Sequence, residues 1–114
     1  MSNDCIFCKI IAKEIPGDVV YADEFVTAFR DIQPAAPTHI LIIPNKHIAS
    51  VNALEEDDAH LLGKMNLAAK QIAKDEGVDE SGYRLIINNG PDAGQLVFHI
   101  HMHLLAGKKL GHLG

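Results

Sequence analysis

Apolar residues change rhythm several times along the chain, and each change marks an element. Ile6, Phe7, Ile10 and Ile11 fall at helical spacing, which predicts a short N-terminal helix capped by Asp4 and closed by Pro16-Gly17. The stretch DVVYADEFVTAFRDI reads as two strands joined around Ala22-Asp23-Glu24. QPAAP is a loop, because two prolines three apart break any regular element. THILIIP is a dense apolar run and predicts a central strand. A long helix is expected from roughly Asn52 to Glu76, with Asn52 and Glu55 at capping-box spacing and Gly77 as its C-cap. Its stripe is Leu61, Leu62, Met65, Ala68, Ala69 and Ile72. GYRLIINNG is a strand running into the turn NNGPDAG, and QLVFHIHMHLLAG is the last strand.

The order α-β-β-β-α-β-β, with one long helix between strands, is an α+β pattern with a mainly antiparallel sheet. The helix covers one face. The other face is left for a ligand, a loop or a partner.

The last strand carries His99, His101 and His103 at alternate positions. Phe98, Ile100, Met102 and Leu104 then face the core, and the histidines share the opposite face with Val97 and Leu105. Neighbouring histidines would sit about 6–7 Å apart and the outer pair about 13 Å apart. Ring nitrogens bind zinc at about 2.0–2.1 Å. A straight strand therefore does not bring three histidines onto one ion, and the pattern points to two adjacent sites with different work.

Composition narrows the partners. The 114 residues are enough for one domain over residues 1–114, and 47% hydrophobic against 22% charged residues is the composition of a folded chain. A net charge of −5 without a basic cluster argues against a nucleic-acid polymer, while a single nucleotide remains open. No apolar run is long enough for a membrane span, and the N-terminus lacks a signal-peptide pattern, so a cytoplasmic location is expected. There, Cys5 and Cys8 would bind a metal or stay as thiols rather than form a disulfide.

Four segments, IFCKIIAKEIP, AFRDIQPAAPTHILIIP, GYRLIINNG and AGQLVFHIHMHLLAGK, resemble in order the segments of the histidine triad superfamily. They are most similar to its nucleotide-binding branch, bacterial type, with a Cys-x-x-Cys N-terminus. The resemblance implies a five-stranded antiparallel sheet with one long and one short helix, and pairing of two copies into a homodimer.

The resemblance also implies a hydrolase of purine nucleoside 5′-phosphoramidates or aminoacyl-adenylates, without an organic cofactor. It makes His101 the nucleophile, supported by the His99 carbonyl, with His103 on the phosphate and His39 assisting the leaving group. Asn88, Gly94, Gln95 and the Leu96 backbone match phosphate contacts. Asp31 matches the acid on the ribose hydroxyls, and Ile32 and Phe29 help form the base slot, with Phe7 a further candidate. Several relatives carry Ser or Thr where this chain has Leu96. Some relatives bind a structural zinc with a Cys2His2 set, and Cys5, Cys8, His47 and His99 match it. A dinucleoside polyphosphate hydrolase and a nucleotide-binding scaffold with little turnover are the alternative functions.

Overall fold

A computed structural model describes residues 4–112. The elements are α1 (Ile6–Ile11), β1 (Val19–Ala22), β2 (Val26–Arg30), β3 (Thr38–Pro44), α2 (Ala59–Asp75), β4 (Tyr83–Ile87) and β5 (Met102–Ala106). The five strands form one antiparallel sheet in the order β1-β2-β3-β5-β4. The α+β architecture expected from the apolar pattern is the one observed.

β3 is central and is buried on both faces, which is why its sequence is a continuous apolar run. Ile40 and Ile42 pack with Val26, Ala28, Met102 and Leu104 beneath Met65, Ala69 and Ile72 of α2. Alternate residues Leu41 and Ile43 turn the other way, onto Phe29 and the α1 residues Phe7 and Ile10. The second sheet face is thus partly filled by α1, and the functional side chains lie beside that patch. The β1–β2 hairpin is closed by Asp23, whose Oδ1 accepts from the N–H groups of Phe25 (2.7 Å) and Val26 (2.8 Å).

Four boundaries differ from the sequence expectation. The cap of α1 is Cys5, whose Sγ accepts from the Cys8 N–H at 3.3 Å, and Asp4 lies outside it. That helix ends at Ile11 with Ala12 as its C-cap, ahead of Pro16-Gly17, and Lys13 just beyond takes a left-handed φ of 63°. The long helix starts at Ala59 rather than Asn52. Residues 51–53 and 56–58 are separate 3-10 turns, because Leu54 between them is extended (ψ 141°). The capping interaction is therefore one turn later than expected: the Glu55 N–H donates to Asp58 Oδ2 at 3.0 Å. Asp58 also accepts from Lys46 Nζ at 2.6 Å, which ties the helix start to the end of β3.

The last strand is shorter than its alternating pattern suggested. Only Met102–Ala106 is in the ladder. Residues 95–101 leave the sheet because other groups claim their backbone; the Ile100 N–H donates to the Ile48 carbonyl at 2.6 Å. Ile100, Met102 and Leu104 are buried as expected, but Phe98 is 50% exposed instead of core.

Candidate active site

The irregular path before β5 lets the three histidines leave the straight line that a strand would impose. His99 is fully buried, His101 is 7% exposed and His103 is half-buried. The His101 and His103 rings are 5.0 Å apart, closer than strand spacing alone gives. His99 faces a different set of partners from the other two.

Around His101 the protonation pattern follows from obligate donors and acceptors. His101 Nδ1 lies 2.9 Å from the His99 carbonyl oxygen. A carbonyl only accepts, so Nδ1 carries the proton and Nε2 keeps a free lone pair. Phe7 meets the His101 ring edge-on at 5.2 Å and also meets Phe29 at 5.2 Å. These aromatics belong to a cavity of about 300 Å³ lined by Ile6, Phe7, Ile10, Phe29, Ile32, Leu41 and Val97, with Asp31 in the wall. Phe29, Asp31 and Ile32 were expected there from the sequence. Ile6, Ile10, Leu41 and Val97 were not singled out. Their signal, an apolar residue at a regularly spaced position, is shared with every core residue.

His103 joins a second chain of contacts. The Ala35 N–H donates to His39 Nδ1 at 3.0 Å, so the His39 proton sits on Nε2. His39 Nε2 is 2.9 Å from His103 Nδ1 and 3.4 Å from Asp31 Oδ2. Donation from His39 leaves the His103 proton on Nε2. Burial lowers the His39 pKa below its ordinary value, against the pull of Asp31. Burial, then the neighbouring His101 and His39 rings, bring His103 down to about 4. Both rings are neutral at pH 7, and His103 is a one-proton donor through Nε2.

The 90–98 loop approaches the same region. Asn88 follows β4 directly, is half-buried, and makes no hydrogen bond to any described residue. Gly94 has φ 91°, which a side chain would oppose. Leu96 is 88% exposed, and its backbone N–H has no acceptor among the described residues. Gln95 is buried.

His99 turns its ring to the cysteines. Its Nδ1 lies 3.4 Å from Cys5 Sγ, 3.5 Å from Cys8 Sγ and 3.3 Å from His47 Nδ1, and Cys8 Sγ lies 3.4 Å from His47 Nδ1. A tetrahedral ion with zinc-like bonds would give edges of about 3.3–3.8 Å between such atoms. Cys5, Cys8, His47 and His99 are therefore close enough together to hold a metal ion. His99 Nε2 donates to the Pro44 carbonyl at 2.8 Å, so the ring nitrogen facing the sulfurs is the unprotonated one. Burial pushes the His99 ring down to about 4, favouring the neutral ligand form. Burial and the neighbouring Cys5 push the Cys8 thiol up to about 11. A cation between the sulfurs would reverse that shift. Asp31, His39 and His103 also lie within ligand reach of one another, but there the Ala35 N–H forces the proton onto the nitrogen an ion would need.

Fold and site together define an α+β domain built around a buried histidine cluster with an apolar slot beside it. The chain belongs to the HIT domain family, which matches residues 12–110. It is 56% identical over 111 residues to the purine nucleoside phosphoramidase of Escherichia coli (strain K12), covering 97% of this chain and 93% of that protein. Among solved structures, it is similar to a histidine triad protein from Clostridium difficile, with TM-score 0.96 and 44% identity. That match covers 100% of this chain and 99% of the other. A HIT family hydrolase from Legionella pneumophila Philadelphia 1 matches with TM-score 0.92 and 51% identity, over 95% and 96% of the two chains.

Proposed function

We propose that this protein is a nucleotide hydrolase that cleaves purine nucleoside 5′-phosphoramidates or aminoacyl-adenylates, releasing a nucleoside 5′-monophosphate. The observation that carries the reading is the 2.9 Å bond from His101 Nδ1 to the His99 carbonyl. It presents a neutral Nε2 lone pair to an electrophile without any separate base. The similarity to the purine nucleoside phosphoramidase supports the substrate class.

In this mechanism the purine occupies the slot between Phe7, Phe29 and Ile32, and the ribose hydroxyls donate to Asp31. His101 Nε2 forms a bond to phosphorus as the phosphorus–nitrogen bond to the amine breaks. The leaving nitrogen takes its proton from a water molecule held by the His103 Nε2–H, whose direction is fixed by the hydrogen bond from His39 Nε2 to His103 Nδ1. Asp31, with Oδ2 3.4 Å from His39 Nε2, helps hold the His39 ring in that orientation. The hydroxide left by that water then attacks phosphorus, and the Nε2–phosphorus bond breaks to return neutral His101. Asn88 and the Leu96 N–H donate to the phosphoryl oxygens.

The Cys5, Cys8, His47 and His99 set fits a structural zinc, which when bound supplies positive charge for the two thiolates and cross-links α1 to the loops around it. The described helices include none long and apolar enough to cross a membrane, and we place the protein in the cytoplasm. The sheet ends in two edge strands, β1 and β4, where a second copy would add its own strands to form the expected homodimer. A panel of adenosine phosphoramidate, an aminoacyl-adenylate and diadenosine polyphosphates tests the function. The expected order of turnover places the phosphoramidate and adenylate first. AMP binding without turnover of any substrate would favour a binding module instead.

A further inference from the structure

The segment from Gly90 to His101 has the least regular backbone near the histidines, yet one side chain accounts for much of its shape. Gly90 (φ 88°) and Gly94 (φ 91°) bracket a single 3-10 turn at Pro91–Ala93. The Gln95 side chain folds back beneath that turn and is 2% exposed. Its Oε1 accepts from the Gly90 N–H at 2.8 Å. Its Nε2 donates to the carbonyls of Ala49 at 2.8 Å and Val97 at 3.1 Å. Its own backbone N–H returns to the Gly90 carbonyl at 3.0 Å. The amide oxygen and both amide protons are thus engaged inside the protein.

This clamp sets the direction of nearby peptide planes. A trans peptide holds its C=O and the following N–H on opposite sides, and every described peptide bond here is trans. Drawing the Val97 carbonyl toward Gln95 turns the Phe98 N–H away from it. Leu96 and Phe98 make no hydrogen bond to any described residue, so both N–H groups stay available to an external acceptor. A run of free N–H groups on an irregular loop is a setting for an anion.

We propose that Gln95 is a positioning residue for the phosphate site, holding the 94–98 backbone in its donor arrangement without touching the nucleotide. This rests on the nucleotide reading above, and departs from the resemblance, which would make Gln95 itself a contact. The ligand chemistry is that of the non-bridging oxygens of a nucleoside 5′-phosphate. The Ala49 carbonyl is part of the same device. It anchors the loop to the segment after β3, whose neighbour Ile48 also receives the Ile100 N–H.

The test compares AMP with adenosine, which lacks the phosphate, on the full chain. Gln95→Glu keeps the side-chain size but sets carboxylate oxygens against the two carbonyls. Affinity for AMP and kcat on adenosine phosphoramidate should each fall about tenfold or more, while adenosine affinity stays within about twofold. Retained adenosine binding also shows that the variant is folded. Unchanged AMP affinity and kcat in Gln95→Glu would overturn the proposal, as would an equal loss for AMP and adenosine.

A second measurement needs no variant. In the wild-type protein, the Gln95 side-chain amide resonances should keep their hydrogen-bonded shifts and slow exchange when AMP is added. Loss of that protection on AMP binding would mean the side chain swings out to the nucleotide, and the proposal fails. A wild-type protein that neither binds AMP nor hydrolyses the phosphoramidate would instead remove the functional reading on which the proposal stands.

Discussion

Two histidine clusters sit within a few residues of each other and are wired in opposite ways. In the Cys5–Cys8–His47–His99 cluster, a backbone carbonyl takes the outer ring proton of His99, so the inner nitrogen is bare and faces sulfur. In the Asp31–His39–His103 cluster, a backbone N–H takes the outer lone pair of His39, so the inner nitrogen carries a proton and faces another imidazole. The first arrangement suits a cation. The second suits a fixed Nε2–H donor on His103, aimed at an anion or a water. What separates them is the polarity of one main-chain group, the Pro44 carbonyl in one case and the Ala35 N–H in the other. Between the clusters, the His99 carbonyl holds His101, so the backbone of a sulfur-facing residue orients the proposed nucleophile.

Substitutions can break this contrast, and their effects should fall in order. His101→Ala should lower phosphoramidate turnover by at least about 1,000-fold, with zinc content unchanged by elemental analysis. His39→Gln keeps an amide that can bond Asp31 but loses the ring that the Ala35 N–H and His103 Nδ1 hold between them, and with it the fixed His103 tautomer. Its kcat should drop about 100-fold, again with the cysteine cluster intact. Cys8→Ser should do the reverse, losing stoichiometric zinc and lowering the melting temperature by about 5 °C or more. If His39→Gln loses zinc, or Cys8→Ser retains it, the two clusters are not separate in the way described.

A smaller effect follows from pH. The folded pKa of His103 is depressed to about 4, whereas an unfolded histidine titrates near 6.5. Between these values the unfolded chain binds more protons than the native one, so stability falls as pH drops from about 6.5 toward 4. Urea unfolding at pH 7 and pH 5 should show that loss, and His103→Asn should reduce the slope. The smallest change is Leu96→Ser. The side chain is 88% exposed, so stability should move by no more than about 0.5 kcal/mol. Any gain in turnover would show that the added hydroxyl reaches the phosphate.

The fold was readable because its signals are local. The double-faced apolar run of β3 and the stripe on α2 follow directly from side-chain spacing. The departures came where tertiary hydrogen bonds outrank periodicity. Alternation through His99 suggested a long last strand, but Ile48 and Gln95 take the backbone groups that the ladder would have used. Asn52 and Glu55 had the spacing of a cap, but Lys46 holds Asp58, and the helix begins after it. The histidines and cysteines were visible as types. Their spacing and the family resemblance already divided their work, but the ring tautomers were not visible, because they depend on the Pro44 carbonyl and the Ala35 N–H, and main-chain groups leave no mark in a sequence.

Every step of the proposed chemistry depends on attack of His101 at phosphorus. Mixing enzyme with excess adenosine phosphoramidate, quenching in alkaline denaturant and mapping peptides by mass spectrometry tests it most directly, since phosphoramidate bonds survive at high pH. An AMP adduct on His101 is expected during turnover. Full turnover in His101→Ala, or an adduct placed on His39 or His103, would contradict it.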